Sequence, residues 1–319
     1  MRKNRFGANP LQVSQLGLGT AQLANADNKF RGTPYVALEE ARRILHLVID
    51  GGINFFDTAP QYGTAETLLG ECKAKYGDKI TIATKVGLST EGVRSFSPAF
   101  LQKQIAKSQQ ALGVRQLDIL QFNKPQQSDL ADGSLFQFLA DLKKAGTIKM
   151  AGIVVGDLET GFQGIESGVV DSLEIFYNLL FLEAEPLLEA ANRRGIGTIV
   201  RSPLNSGILS GGYQPEQKFP DNDDRSLFFH GAGFVDRLRR LKDIQNTLNI
   251  SDAELLNFSM GFIISNPYVS TVIPGVSKIE QAENLVALGS KELFSAERLD
   301  KIREVVLLNM AGYQQNPQL

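Results

Sequence analysis

Residues 53–71 read INFFDTAPQYGTAETLLGE: a greasy run that stops at Asp57, a polar glycine-containing turn with Tyr62, then a helical pattern from Ala65 onward. This is one strand–loop–helix unit, and its recurrence decides the fold. Short apolar runs of the same kind are QLGLGT (15–20), ITIATKVG (80–87), LDILQFN (117–123), IKMAGIVV (148–155), SLEIFY (172–177), GTIVRS (197–202) and STVIPG (270–275). Each is almost continuously hydrophobic and rich in Ile, Val, Leu or Phe, as parallel strands covered on both faces are. Longer amphipathic segments lie between them. LEEARRILHLVIDGG (38–52) sets Ala41, Ile44, Leu45 and Val48 on one face and stops at a glycine pair. SPAFLQKQIAKSQQALG (97–113) predicts Ser97 as N-cap, Pro98 at the first helical position and Gly113 as terminator. EAEPLLEAANRRG (183–195) ends on two arginines and a glycine, which suit the negative end of a helix.

Eight such units with no Pro/Gly/Ser-rich linker predict one α/β domain over residues 1–319, a (β/α)8 TIM barrel. A doubly wound sheet is the rival, but no GxGxxG follows the first strand. RKNRFGANPLQV predicts a small N-terminal β-hairpin at the barrel bottom. Residues 205–234, rich in Gly, Asp and Asn, predict a long functional loop after strand 7. The last thirty residues or so read as a further decoration.

Composition narrows the partners. With 33 basic and 35 acidic residues among 319, the formal net charge is −2, no footprint for nucleic acid or an anionic membrane. No apolar run approaches the ~20 residues of a membrane span, and the basic start carries no stretch of signal-peptide length. Cys72 is the only cysteine, so no internal disulfide forms and a reducing cytoplasm is the expected setting. Within AETLLGECKAKY it reads as a packing thiol. Nothing in the sequence sets an oligomeric state.

In a barrel of this kind the chemistry sits at the carboxyl ends of the strands. Asp57 ends the second strand, Tyr62 follows on its loop, Lys85 ends the third and Asn123 the fourth. Taken singly, Asp57 is equally a turn or cap residue and Tyr62 a surface aromatic. Lys85 at the end of an apolar strand is harder to explain, because an unpaired buried ammonium is costly. Taken together they are an acid chain. A phenol of reference pKa ~10 is a poor donor at neutral pH, but a neighbouring ammonium held by a carboxylate stabilises its anion. Such a set protonates an oxygen that becomes negative, such as a carbonyl receiving hydride.

GINFFDTAPQYGTAETLLGE resembles the signature of the aldo-keto reductase superfamily, NAD(P)H-dependent carbonyl reductases on a (β/α)8 barrel. LGLGT, SPLNSGILSGGY and TVIPG extend the resemblance over nearly the whole chain. It implies that Asp57, Tyr62 and Lys85 are three members of the catalytic tetrad, with Tyr62 the acid. The fourth member, normally His, is Asn123, which donates a hydrogen bond to a carbonyl oxygen but cannot titrate. The nicotinamide pocket differs too: Val154 and Val155 replace the usual Ser-Asn, Glu174 a Gln, and Arg201 the stacking aromatic. Glu174 and Arg201 lie on adjacent strands, within reach of a compensating pair.

The resemblance places the rest of the cofactor around Gly19 and Thr20 at the first strand, and Ser202, Leu204, Ser206, Gly207 and Leu209 after the seventh. In PGVSKIEQAEN the candidates are Gly275, Ser277, Lys278, Gln281 and Asn284, near the adenosine phosphate. The bland reading of these glycines is loop geometry alone. Lys278 meets a 2′-phosphate as a point charge, so NADP is favoured and NAD remains open. No metal is implied. The expected activity is reduction of an aldehyde, ketone or sugar carbonyl. The altered pocket keeps two alternatives open: a nucleotide-binding regulatory barrel, as in channel-associated members of the family, and an elimination or epimerisation without net redox change.

Overall fold

The computed structural model describes residues 1–23, 36–220, 223 and 225–311. Strands β1 (Lys3–Arg5) and β2 (Gln12–Ser14) form an antiparallel hairpin. Eight parallel strands follow: β3 (Leu18–Gly19), β4 (Phe55–Asp57), β5 (Thr81–Val86), β6 (Leu117–Asn123), β7 (Ile148–Val154), β8 (Ser172–Phe176), β9 (Gly197–Arg201) and β10 (Thr271–Val272). They pair in sequence order from β3 to β10. The ends meet through parallel bridges at Leu16–Val272 and Gly19–Gly275, with Gly17 N–H donating to the Val272 carbonyl at 2.8 Å. All eight strands of the TIM barrel fall inside the runs anticipated from hydrophobicity; Leu117–Asn123 matches its run in full and the others are shorter by one to four residues.

Alternation along the strands builds two cores. Phe55, Ala83, Ile119, Met150, Ile199 and Ile273 meet inside the barrel. Phe56, Ile82, Leu120 and Ile153 face the helical layer. The hairpin closes the lower end: Phe6 and Val13 join the inner cluster, and the Phe6 ring lies 5.6 Å from that of Phe55. Gly197 leaves room for it, since a Cβ there would come within 2.6 Å of the Phe6 ring.

Among the helices, Leu38–Asp50 buries the four apolar residues expected of it. Pro98–Leu112 begins at Pro98 and ends at Gly113, whose φ of 66° is left-handed. Ser97 holds the N-cap backbone position, but its hydroxyl makes no cap; it accepts from Ser95 Oγ at 3.2 Å instead. Two serines two positions apart satisfy each other before they satisfy the helix. Cys72 is buried in helix Ala65–Tyr76, and burial, aided by the Glu71 carboxylate, pushes its thiol up to about 11, which leaves it inert.

The long segment after β9 is more ordered than its composition suggests. A 3-10 stretch spans Asn205–Ser210, short helix Arg225–Phe228 follows, and helix Gly231–Leu248 begins inside the expected loop. Irregularly spaced aromatics hold it: Tyr213 lies 5.4 Å from Phe219, and Phe229 stacks on Phe234 at 5.4 Å. Residues 221, 222 and 224 of that loop, and 312–319 of the C-terminal tail, lie outside the described residues. The final described helix, Ala296–Met310, packs on Gly231–Leu248. No helix among the described residues is long and apolar enough to cross a membrane.

Candidate active site

The carboxyl ends of β4, β5, β6 and β8 deliver a polar layer directly above the apolar one. Two residues beyond Phe55 and Ala83, on the same inward face, stand Asp57 and Lys85. Gln121 and Asn123 follow Ile119 on β6 by the same step of two. The strand end carrying Asp57 is tied to the first strand, because Thr20 donates from both N–H and Oγ1 to the Asp57 carbonyl at 2.9 Å.

Lys85 is 2% exposed, and its ammonium spends its donors on three groups. It bonds both Asp57 carboxylate oxygens, at 2.5 Å to Oδ2, the Thr58 carbonyl at 3.2 Å, and Glu174 Oε2 at 3.2 Å. The half-buried Tyr62 presents its ring 5.5 Å from the same ammonium. A tight turn fixes Tyr62, its N–H donating to Ala59 O at 2.9 Å and its carbonyl accepting from Ala65 N–H at 3.1 Å. Asp57, Tyr62 and Lys85 are thus brought together. Asn123 ends β6, 8% exposed, one strand away from Val154, which in turn pairs with Glu174. Arg94 clamps this strand end from outside, donating to the Asn123 carbonyl at 3.0 Å and to the Lys124 carbonyl at 2.7 Å.

Glu174 also reaches inward, beyond the neighbouring strand. It contacts Lys85 and Gln121 Nε2, the latter at 2.9 Å. The same Gln121 nitrogen lies 3.3 Å from Asp57 Oδ2, so it spans the two carboxyls. Register explains why Arg201 is not directly opposite: β9 pairs Ile199 with Glu174 and Arg201 with Phe176. The Arg201 guanidinium stacks on the Phe176 ring at 5.1 Å and acts on Glu174 through its charge.

Gln121 and Gly152 escaped the sequence reading. Gln121 was visible as a polar residue two before Asn123 in an apolar strand, hence on the same face. Gly152 has no such signal. It lies on β7 between Gln121 and Ser172, and a Cβ there would meet Ser172 Oγ at 2.4 Å and Gln121 Cγ at 2.9 Å. The missing side chain lets Gln121 reach across to β8. Gly152→Ala is expected to cost about 1–3 kcal/mol by overpacking, read as a lower urea midpoint at unchanged slope.

Burial drives the Asp57 carboxyl well above the usual carboxylate range, and the Glu174 carboxylate adds to this against the opposing pull of Lys85. Glu174 feels the same burial, but Lys85 and then Arg201 outweigh it and hold its carboxyl below the ordinary range. Lys85 resists its own desolvation because two carboxylates face it, and it is held above the ordinary lysine value.

The remaining sequence candidates lie at the carboxyl end of β3 and in the segments that follow β9 and β10. Gly19 and Gly275 pair across the barrel seam. Gly275, Lys278, Gln281 and Asn284 are exposed, and Gln281 accepts from Ser277 N–H at 2.8 Å and Ser277 Oγ at 3.3 Å. After β9, Ser202, Asn205, Ser206 and Gly207 all have positive φ, from 46° to 99°. Inside this turn the Leu204 carbonyl accepts from the N–H groups of Gly207 at 2.9 Å and Leu209 at 3.2 Å. Tyr213 OH, donating to the Ser206 carbonyl at 2.8 Å, braces it. Asn205 is 1% exposed, and neither atom of its amide finds a hydrogen-bond partner among the described residues. Buried polar atoms in a left-handed nest suit a polar, anionic ligand, so the loop fits a pyrophosphate.

Comparison with known proteins agrees with this architecture. The model of the Aldo/keto reductase family matches residues 15–307. Aldo-keto reductase str7 of Strobilurus tenacellus is 28% identical over 300 residues, 89% of this chain and 87% of its own. Pyridoxal 4-dehydrogenase of Microbacterium luteolum is 28% identical, covering 88% of this chain and 90% of its own. Among solved structures, aldo-keto reductase AKR11C1 from Bacillus halodurans in its holo form superposes with a TM-score of 0.79 at 24% identity, covering 96% of both chains.

Proposed function

The chain belongs to the aldo/keto reductase family, and from that premise we propose that it reduces the carbonyl of an aldehyde, ketone or sugar with a nicotinamide dinucleotide, NADPH in preference to NADH. The observation that carries this is the buried Lys85 ammonium, bonded to Asp57 and facing the Tyr62 ring. When bound, the dinucleotide supplies hydride to the carbonyl carbon. Residues of the loop at 202–209 would hold its pyrophosphate, Gly19, Thr20, Arg201 and Glu174 would surround its nicotinamide end, and Ser277, Lys278, Gln281 and Asn284 its adenosine phosphate.

The protein's own part is proton delivery. Tyr62 gives its hydroxyl proton to the carbonyl oxygen as negative charge develops there, and the Lys85 ammonium stabilises the phenolate left behind. Asn123 donates an amide hydrogen bond that orients the same oxygen. An aldehyde substrate is consistent with the name of the pyridoxal 4-dehydrogenase relative. The preference for the phosphorylated dinucleotide rests on Lys278, an exposed cation at the N-cap of helix Ile279–Leu288.

One observation favours a second reading, a nucleotide-binding barrel without turnover: the Glu174 carboxylate is already engaged by Lys85 and Gln121. Titrating the protein with NADPH and with NADH, followed by fluorescence quenching, and then adding a panel of aldehydes separates the two. Binding with consumption of the reduced nucleotide supports the reductase. Binding without consumption supports the second reading, and failure to bind either nucleotide overturns both.

A further inference from the structure

We propose that Arg94 is a positioning residue for Asn123: it locks the backbone where β6 leaves the barrel and so aims the Asn123 carboxamide. This deepens the carbonyl-orienting role given above to Asn123 and rests on it.

The Asn123 side chain lies on the inward face of β6 and is 8% exposed, yet its carboxamide has no hydrogen-bond partner among the described residues. Buried carboxamides are normally held by partners. The aim of this one is set by the backbone that carries it.

That backbone is strained at the next residue. Lys124 has a φ of 51°, in the left-handed region, and Pro125 follows it. A side chain with a Cβ and a following proline both push a residue toward extended backbone. Two contacts oppose that push. Lys124 N–H donates to the Val154 carbonyl at 3.1 Å, and Arg94 Nη1 donates to the carbonyls of Asn123 at 3.0 Å and Lys124 at 2.7 Å. These two carbonyls flank the Lys124 Cα. In extended backbone successive carbonyls point opposite ways, and one nitrogen could not reach both. Arg94 therefore selects the left-handed turn.

The arm that does this is itself fixed. In its loop Leu88 and Arg94 form an antiparallel bridge, and Ser95 N–H donates to the Gly87 carbonyl at 3.1 Å. Gln104 on helix Pro98–Leu112 pins the loop, accepting from Gly87 N–H at 2.7 Å and donating to the Leu88 carbonyl at 2.8 Å. Phe96, two residues beyond Arg94, meets Phe122, the residue before Asn123, edge to face at 5.6 Å. Loop and strand end are thus joined on both sides of the clamp.

The test compares wild type, Arg94→Ala, Arg94→Lys, Asn123→Ala and the double variant Arg94→Ala/Asn123→Ala as whole proteins. Arg94→Ala is expected to lower kcat about 10-fold, as misplacing an orienting group does, with nucleotide affinity unchanged. Arg94→Lys, a shorter arm that still donates, should recover part of the loss. In the Asn123→Ala background the loss of Arg94 should cost nothing more, because the group it aims is gone. Equal losses in both backgrounds, or a fall in nucleotide affinity that matches the fall in kcat, overturns the proposal.

A second readout needs no substrate. Hydrogen exchange of the Lys124 amide, followed by NMR, reports the turn directly. It should quicken by about 10-fold or more in Arg94→Ala while amides at the centre of β6 stay as in wild type, and Arg94→Lys should restore part of the protection. Exchange indifferent to Arg94 overturns the clamp, whatever the turnover. Exchange that responds to Arg94 in a protein that turns over no carbonyl keeps the clamp and removes the reductase function.

Discussion

Tyr62→Phe is expected to lower carbonyl reduction by about 10²–10⁴-fold while nucleotide affinity stays within a factor of two or so. The substitution deletes one oxygen and leaves the ring, so the 5.5 Å approach of Lys85 to the aromatic face persists and the loop turn is unaffected. Only the proton for the developing alkoxide is lost. Because that proton matters in the transition state and not in binding, the fall should lie in kcat, with KM little changed. Steady-state rates with an aldehyde found in the panel measure it. Unchanged kcat would remove Tyr62 from the chemistry, and a loss of nucleotide binding would show that its role lies in holding the cofactor.

Lys85→Met is expected to be the most damaging change to the fold at this site. It removes the one cation bonded to two carboxyls inside the barrel, and breaking a buried ion pair from one side typically costs about 3–5 kcal/mol. The sign of its pH dependence follows from the same charges. Without the ammonium, Asp57 and Glu174 both prefer to be protonated in the folded state. The variant is then best folded in acid and loses stability as pH rises through the raised values of both groups. Urea unfolding at several pH values tests this, and pairing the change with Glu174→Gln should recover part of the loss. A deficit independent of pH would mean that lost packing of the lysine stem, not stranded charge, is responsible.

The sequence revealed what repeats and what is costly. Eight apolar runs separated by amphipathic segments leave few architectures besides a closed parallel barrel, and each run contained its strand. Lys85 was conspicuous because a cation in such a run needs a partner, and Asp57 stood at the equivalent end of the preceding strand. The pairing of Glu174 was harder to see. Adjacency of β8 and β9 suggested Arg201, whose charge does act on Glu174, but adjacency did not show that Glu174 also reaches inward to a strand three places away. That contact crosses the barrel interior, where no local pattern reports distance. Gly152 was invisible for a related reason: its role is a space that only the neighbouring Gln121 and Ser172 define. The aromatic packing of the segment after β9 likewise depends on rings brought together from irregular spacings.

The stopper at the base of the barrel has a bearing on synthesis. The hairpin carries Asn4, whose amide bonds the Ser270 carbonyl at 3.0 Å, and Phe6, which nests against Gly197. These partners are translated some 190 to 266 positions later, so the hairpin finds its seat only after most of the barrel has been made. During elongation the two-stranded ribbon must wait for Gly197 and Ser270 to emerge before these contacts can form. A slow final closing step, sensitive to chaperones that shield extended apolar segments, follows from that order of manufacture.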